Sequence, residues 1–317
     1  MVPQPEGHAG RVTVFGSVNL DLVIRGAGVP GDGETVLAKS AASGLGGKGA
    51  NQAVAAARAG AEVAFVGAVG EGAEGERLRG TLASAGVDVT HVRVAETVTS
   101  GMAIVLVSDD GENRIVVVPG ANACVGEADA SAARDRILDS DVLVVQGEVP
   151  ASATRAVLRA AREAGVRALV NLAPAFDLGP ELAWADPLVV NEVEAGQLIG
   201  ERLSAVQDVL AAGPRFRALA RSAVITVGAG GAVLVTGEDL VHVPAPQVAE
   251  VRDTTGAGDA AVGVLAAALA RGLPIADATR LAVAAGSLSV TVEGAAENYP
   301  DFGRELAGLR AITGGRS

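Results

Sequence analysis

A mostly parallel β-sheet flanked by helices on both faces, with a small separate β-sheet beside it, is the fold this sequence predicts. Three observations predict it. First, one short form recurs, a β-branched run that ends in Gly, Asn or Pro: "RVTVFGSV", "GAEVAFVGAVG", "DVLVVQGEV", "VRALVNLAPA", "DPLVVNEVEA" and "SAVITVGAGG". Second, Ala- and Arg-rich segments of helical character lie between these runs, over residues 49–59, 74–84, 151–164 and 206–219. Strand–helix alternation demands right-handed crossovers, and so parallel strands with helices on both sides. Third, residues 34–42 and 101–118 interrupt the alternation and read as β without helices. The second of them, "GMAIVLVSDDGENRIVVV", is a strand, a polar turn over 109–113 and another strand. These two regions predict a small lid-like sheet within a single domain spanning 1–317; an edge extension of the main sheet is the alternative.

Composition fits this architecture and narrows the function. The chain has 317 residues, 49% of them hydrophobic and only 2% aromatic, so the core must be aliphatic. A net charge of −12 argues against broad binding to nucleic acid or an anionic membrane, while leaving room for an anionic substrate in a locally positive pocket. Cys124 is the only cysteine, which excludes an intrachain disulfide and fits a reducing cytoplasm. The first ten residues lack a basic start and an apolar run, so no signal peptide is expected. No apolar run reaches the roughly 18 residues of a membrane span.

In a doubly covered parallel sheet, ligands bind beyond the carboxyl ends of the strands. The candidate residues follow the strands accordingly. In "GSVNLDLV", Asn19 and Asp21 alternate with apolar residues at the end of the first strand, so both face one way. Such a pair can bind adjacent hydroxyls, since the amide donates and accepts while the carboxylate accepts; it can equally form a turn. "SGLGGKGANQAVAAARAG" surrounds Lys48 with Gly46, Gly47 and Gly49 before a helix of small residues. The phosphate-loop spacing is absent, and Lys48 and Asn51 could instead present donors to a polyhydroxy ligand. In "VVNEVEAGQLIG", Asn191 and Glu194 stand three apart on one helical face. They can orient waters on Mg²⁺, or simply cap the helix.

The stretch "RDTTGAGDAAVGVLAAALA" places Gly256 and Gly258 around the start of an almost wholly apolar helix near Ala257. The free N–H groups of that first turn, with about half a positive charge from the macrodipole, make an anion site. Asp259 sits in the same turn. A carboxylate beside a bound phosphate is repulsive unless it has a task, and accepting a proton from an attacking hydroxyl is one. Complementing the helix dipole is the other reading of Asp259.

Taken in order, "GSVNLD", "GGKGANQAVAAARAG", "GENRIVVVPGAN", "QGEVP", "NLAPA", "NEVEA" and "DTTGAGDA" resemble the ribokinase-like carbohydrate kinase family over nearly the whole chain, from about Val12 to Pro300. The resemblance implies an ATP-dependent kinase acting on a sugar hydroxymethyl group, with D-ribose first among the candidate sugars. Fructose, a ketodeoxy acid or a nucleoside is the alternative substrate. It implies that Asn19, Asp21, Gly47, Lys48, Asn51 and Glu148 hold the sugar and that Asp259 is the base. Gly256, Ala257 and Gly258 then offer amides to the transferring phosphoryl group. Asn191 and Glu194 stand near the phosphates, Glu194 reaching Mg²⁺ through water. Thr226, Gly228 and Gly231 resemble the nucleotide-side loop, and 286–291 the helix lining the adenine pocket. The resemblance further implies K⁺ held by oxygens of Asp253, Thr255, Ser289, Val292, Gly294 and Asn298, and a homodimer paired through the lid. Ala261 stands where many members carry Phe, Leu172 where Pro is frequent, and "EGAAENYP" departs from the usual ending, which puts the cation loop in question.

Overall fold

The computed structural model describes residues 9–26, 28, 30–108 and 113–307. Its strands are β1 (Arg11–Phe15), β2 (Asn19–Arg25), β3 (Ser40–Gly46), β4 (Glu62–Gly70), β5 (Val87–Ala95), β6 (Gly101–Val107), β7 (Asn113–Val118), β8 (Val142–Val145), β9 (Arg167–Asn171), β10 (Leu188–Asn191), β11 (Ala223–Thr226), β12 (Ala232–Val235) and β13 (Leu240–Val243). Nine of them form one sheet in the order β13-β12-β11-β10-β9-β8-β1-β4-β5, parallel from β11 to β5 with an antiparallel β12–β13 edge. The chain runs outward from β1 through β4 and β5, then returns to pair β8 on the other flank of β1. That reversal is the crevice where such sheets bind ligands.

Alternation along the strands divides the core in two. Val12, Val14, Val142, Val144 and Leu169 face one side, and Phe15, Leu143, Val145, Val170 and Ile225 the other. The first face packs under α1 (Lys48–Arg58), α2 (Ala73–Ser84) and two later helices. The second lies under α3 (Glu127–Ala132), α4 (Arg134–Leu138), α5 (Ala151–Ala164), α6 (Glu192–Ile199) and α7 (Val206–Phe216). The later helices of the first face are α8 (Ala257–Ala270) and α9 (Ile275–Ser289), and the short α10 (Phe302–Glu305) ends the described chain. Burial on both faces explains why the strands read as continuous apolar runs. Of the four helices expected from sequence, 151–164 is found as stated; α1 is shifted by one residue, α2 begins one residue earlier and α7 ends three residues earlier.

α8 is buried along nearly its whole length, including Val262, Val264, Leu265 and Leu269. Burying each such side chain contributes about 1.5–3 kcal/mol. Its contact with α1 is close: a Cβ at Gly263 would lie 2.5 Å from both the Ala55 Cβ and the Gln52 carbonyl oxygen. Small residues thus bring the α1 side chains at 51 and 52 within reach of the first turn of α8.

The small sheet has the order β3-β2-β6-β7. Two sequence expectations are corrected here. Asn19 and Asp21 lie not at the end of β1, which stops at Phe15, but on β2 of the small sheet. The strand expected over 34–42 is Ser40–Gly46, with 34–39 outside any strand. β6 and β7 pair antiparallel as expected; residues 109–112 of the turn between them lie outside the described residues. Among the described residues, no helix is long and apolar enough to cross a membrane.

Candidate active site

The candidate side chains stand at the carboxyl ends of the central strands. β1 leads into Ser17, β8 into Gln146 and Glu148, β9 ends at Asn171, β10 at Asn191 and β11 at Thr226. Lys48, Asn171, Asn191, Glu194, Thr226 and Asp259 line one cleft, closed on one side by Thr254, Gly256, Ala257 and Gly258.

Asp259 is buried at the start of α8, and both of its oxygens are held. Asn51 Nδ2 donates to Oδ2 at 3.0 Å and Gln52 Nε2 to Oδ1 at 2.8 Å. Gln52 Nε2 also donates to Asn171 Oδ1 (2.8 Å), while Gln52 Oε1 accepts from Gln146 Nε2 (2.8 Å). The carboxylate is therefore fixed in rotation, with remaining lone pairs available to a hydroxyl. Among the described residues, three buried oxygens nearby have no hydrogen-bond partner: Gln146 Oε1, Asn51 Oδ1, whose own amide holds Asp259, and Asp21 Oδ1, which feels the charge of Asp259. Buried acceptors without donors are costly and rare in folded proteins. Hydroxyl groups of a ligand are suitable donors for Asp21 Oδ1 and Asn51 Oδ1.

Burial foremost, with the nearby charges of Glu148 and Asp259, pushes the Asp21 carboxyl up to about 7. Gly46 passes so close to it that a Cβ there would lie 2.0 Å from Oδ1. Asn19 is clasped by Asn122, whose Nδ2 donates to Asn19 Oδ1 (2.7 Å) and to Val18 O (3.2 Å). Val18 N–H donates back to Asn122 Oδ1 at 3.0 Å. With its oxygen so engaged, Asn19 is left to offer its amide hydrogens. Glu148 Oε2 accepts from Ser17 Oγ (2.5 Å) and from Lys48 N–H (2.9 Å), which ties β8 to the start of α1. Asp259 foremost holds the Lys48 ammonium above its ordinary pKa against the effect of burial, and Glu148 and Glu194 add to it. The glycine before it, Gly47, has φ 86°, a conformation that favours glycine.

On the far side of the cleft, Asn191 and Glu194 cap α6 reciprocally. Asn191 Oδ1 accepts from Glu194 N–H (2.8 Å), and Glu194 Oε2 from Asn191 N–H (2.9 Å). The capping alternative is therefore real, and it leaves Asn191 Nδ2 and Glu194 Oε1 outside that reciprocal pair. Burial raises the Glu194 pKa, opposed by the Asn191 N–H and by Lys48. Thr226 ends β11, and Gly228 and Gly231 flank the following turn.

The amide site at α8 differs in one detail from expectation. Ala257 N–H closes the turn on Thr254 O at 3.3 Å. Gly258 lies in the first helical turn, where amides have no partner within the helix. A Cβ at Gly258 would meet no atom within 4 Å, so packing does not explain a glycine there. A methyl group would instead occupy cleft space.

The remaining predicted residues gather just behind this turn. Asp253 Oδ1 accepts from Thr255 N–H (2.9 Å) and Oγ1 (2.6 Å), and Oδ2 from Gly294 N–H (3.0 Å), with Arg25 Nη2 at 3.8 Å. Burial opposes these contacts, yet the bonds from Thr255 and Gly294 hold Asp253 below its ordinary pKa. Val292 N–H donates to Ser289 O (3.4 Å), and Asn298 Nδ2 to Glu293 O (2.9 Å). Among the departures, Leu172 is buried in the second core, and Ala261 faces Gly286 across the α8–α9 contact. Sequence does not single out Ser17, Gln52, Asn122, Asn171 or Tyr299, although all five lie within the stretches "GSVNLD", "GGKGANQAVAAARAG", "GENRIVVVPGAN", "NLAPA" and "EGAAENYP".

The geometry is that of a group-transfer site, with a clamped carboxylate, a helix N-terminus and a lysine around one cleft. The chain belongs to the pfkB family of carbohydrate kinases, whose model matches residues 9–301. It is 35% identical over 291 residues to a ribokinase of Haemophilus influenzae, covering 91% of this chain and 95% of the relative. Its fold is similar to that of an Arabidopsis thaliana ribokinase complexed with ribose and ATP (TM-score 0.88, 31% identity, 95% and 99% of the two chains). It is also similar to phosphofructokinase-2 of Escherichia coli in complex with potassium (TM-score 0.75, 25% identity, 95% and 99%).

Proposed function

We propose that this kinase transfers the γ-phosphoryl group of ATP to the 5-hydroxyl of D-ribose, giving D-ribose 5-phosphate and ADP. One observation carries the sugar half of this reading. Asp21 Oδ1 and Asn51 Oδ1 are buried in the charge and hydrogen-bond network around Asp259, two of three acceptors there (Gln146 Oε1 is the third) that have no partner among the described residues. A polyhydroxy ligand supplies the donors they lack, and Asn19 and Lys48 supply donors to its oxygens. The relative with ribose and ATP bound supports the choice of substrates.

The residues divide the reaction between them. Asp259 takes the proton as the 5-oxygen attacks phosphorus, while the bond from phosphorus to the leaving oxygen of ADP breaks. The first-turn amides of α8, Gly258 foremost, face the charge that spreads over the transferring oxygens. Lys48 lies within the same cleft and offsets the charge of Asp259. Asn191 and Thr226 border the nucleotide side. Glu194 Oε1 suits Mg²⁺, an ion that keeps several waters and takes few protein ligands directly; bound with the phosphates, it supplies charge neutralisation. The small sheet, carrying Asn19 and Asp21, acts as a lid over the sugar. A second reading, a fructose, ketodeoxy acid or nucleoside kinase, keeps the same chemistry. One Trp, one Tyr and five Phe in the whole chain leave little to stack a nucleobase. A panel of pentoses, hexoses and nucleosides scored for ADP release tests the choice. D-ribose is expected to give the highest kcat/KM, and a clear preference for fructose or adenosine would transfer the protein to the second reading.

K⁺ belongs to the same proposal. Asp253 joins the Thr255 turn to the Gly294 loop, so a cation on their oxygens would order the turn that holds Asp259. Hydroxyl, carbonyl and carboxylate oxygens from Thr255, Ser289, Val292, Gly294, Asn298 and Asp253 suit a large, weakly hydrated ion, and the potassium complex of a relative supports it. Replacing Na⁺ by K⁺ at constant ionic strength is expected to raise activity several-fold, and Asp253→Ala to abolish the response with Mg·ATP binding retained. Equal rates in Na⁺, K⁺ and a bulky organic cation would remove the ion from the scheme.

We also propose a homodimer through the lid. Ile115, Val116, Val117 and Val118 on edge strand β7 are exposed at 60, 58, 52 and 43%. An apolar edge with open backbone groups calls for a cover, and a second copy provides one. Light scattering at micromolar concentration should give twice the chain mass; a fully active monomer would refute the pairing.

A further inference from the structure

The departure "EGAAENYP" places a tyrosine behind the amide site. Tyr299 is buried, and its hydroxyl donates to Gly256 O at 2.6 Å. The same carbonyl accepts from Ala260 N–H at 2.8 Å, the first helical bond of α8. The loop closed by that bond contains Ala257, Gly258 and Asp259. Gly256 itself has φ 74°, and a Cβ there would lie 2.4 Å from the tyrosine oxygen and 2.8 Å from the Ala295 Cβ, so the tyrosine leaves no room for a side chain at 256. Neighbouring contacts hold the segment in place. The Tyr299 ring packs at 5.8 Å from Phe302, and Glu297 Oε1 accepts from Leu45 N–H (2.6 Å) on β3, beside the glycine that faces Asp21. The segment therefore touches the transfer turn with one residue and the sugar-side strand with another.

We infer that Tyr299 is a positioning residue for phosphoryl transfer, its hydroxyl fixing the Gly256 carbonyl and with it the aim of the Gly258 amide and of Asp259. A phenol hydroxyl is a hydrogen-bond donor, and the Gly256 carbonyl can only accept. The inference rests on the kinase reading above. It goes beyond it by assigning to this chain's own side chain part of the turn-ordering otherwise left to a cation.

Tyr299→Phe removes only the hydroxyl. Gly256 O keeps its bond from Ala260, so no buried acceptor is orphaned and the fold should hold. The expected result is a kcat lower by about three- to tenfold, the scale of one lost hydrogen bond, with KM for sugar and ATP within twofold. Affinity for ADP with aluminium fluoride and sugar, a mimic of the transferring phosphoryl group, should fall by a similar factor, while affinity for Mg·ADP alone is unchanged. The K⁺ activation ratio should rise. Full kcat in the variant would overturn the inference. So would a loss shared equally by Mg·ADP binding and thermal stability, which would make Tyr299 merely structural. A wild-type protein that phosphorylates no sugar would instead overturn the kinase reading, a result separate from any difference between the two proteins.

Discussion

Asp259→Asn is expected to lower kcat by about 10²–10⁴-fold, the range for loss of a general base. The side chain is nearly isosteric, so the sugar and nucleotide pockets keep their shape. The local hydrogen bonding does change. Asp259 accepts from two amide donors, Asn51 Nδ2 and Gln52 Nε2. An asparagine has one acceptor oxygen and must set its own NH₂ against one of those donors. Gln52 cannot reverse without losing Gln146 and Asn171. Asn51 can reverse, because its Oδ1 has no partner among the described residues, and it then accepts from the new NH₂. The fold keeps its bond count, and the change falls on the group that Asn51 offers to the sugar. Rapid-quench turnover, sugar binding by calorimetry and urea melts separate these effects. A variant that retains more than a tenth of wild-type turnover would show that Asp259 only complements the helix dipole.

The reach of sequence reasoning follows the range of the interactions. The turn 253–259 was legible because its chemistry is local: glycines, a helix start and a carboxylate within seven residues. Asn191 and Glu194 were legible as a pair, but cap and metal-water ligand require the same spacing, so the sequence could not separate them. The structure finds the cap, with one carboxylate oxygen of Glu194 outside it. Gln52 was hidden in an Ala-rich helix beside Asn51. Its role depends on Asp259, 207 residues away, and on Asn171, 119 away. The Asn122 side chain likewise bonds at long range, to Asn19 and to the Val18 backbone, 103 and 104 residues away. β3 was misplaced because "SAASGLG" has little intrinsic strand preference. Pairing with β2 from Asn19↔Gly46 to Arg25↔Ser40 makes it a strand. The break after Phe15 was missed because "GSVNLDLV" continues the apolar alternation across a change of sheet.

Asp21→Asn is expected to weaken sugar binding and strengthen the fold. The carboxyl titrates at about 7 in the folded protein against an ordinary 3.8. Below the lower value it is protonated in both states. As the pH rises past it, the unfolded chain ionises first, so between 3.8 and about 7 this group increasingly favours unfolding. Above about 7 the full difference applies, of order 4 kcal/mol for a gap of that size. The neutral amide bears no such penalty. The variant should therefore melt higher than wild type at pH 8, with the gap narrowing at pH 6 and closing near pH 4. The sugar reverses the balance. Hydroxyl donors to Asp21 Oδ1 favour the ionised form, and hydrogen bonds to a charged group are worth about 1.5–3 kcal/mol. Replacing the carboxylate should raise KM for the sugar by about 10- to 150-fold, with kcat far less affected because Asp259 is intact. Saturating sugar should also raise the wild-type melting temperature more at pH 8 than at pH 5, since only there does binding relieve a buried charge. A wild-type melting curve independent of pH from 5 to 8 would remove the buried-charge penalty, and a variant with unaltered KM would remove Asp21 from the sugar site and leave its burial without a ligand to explain it.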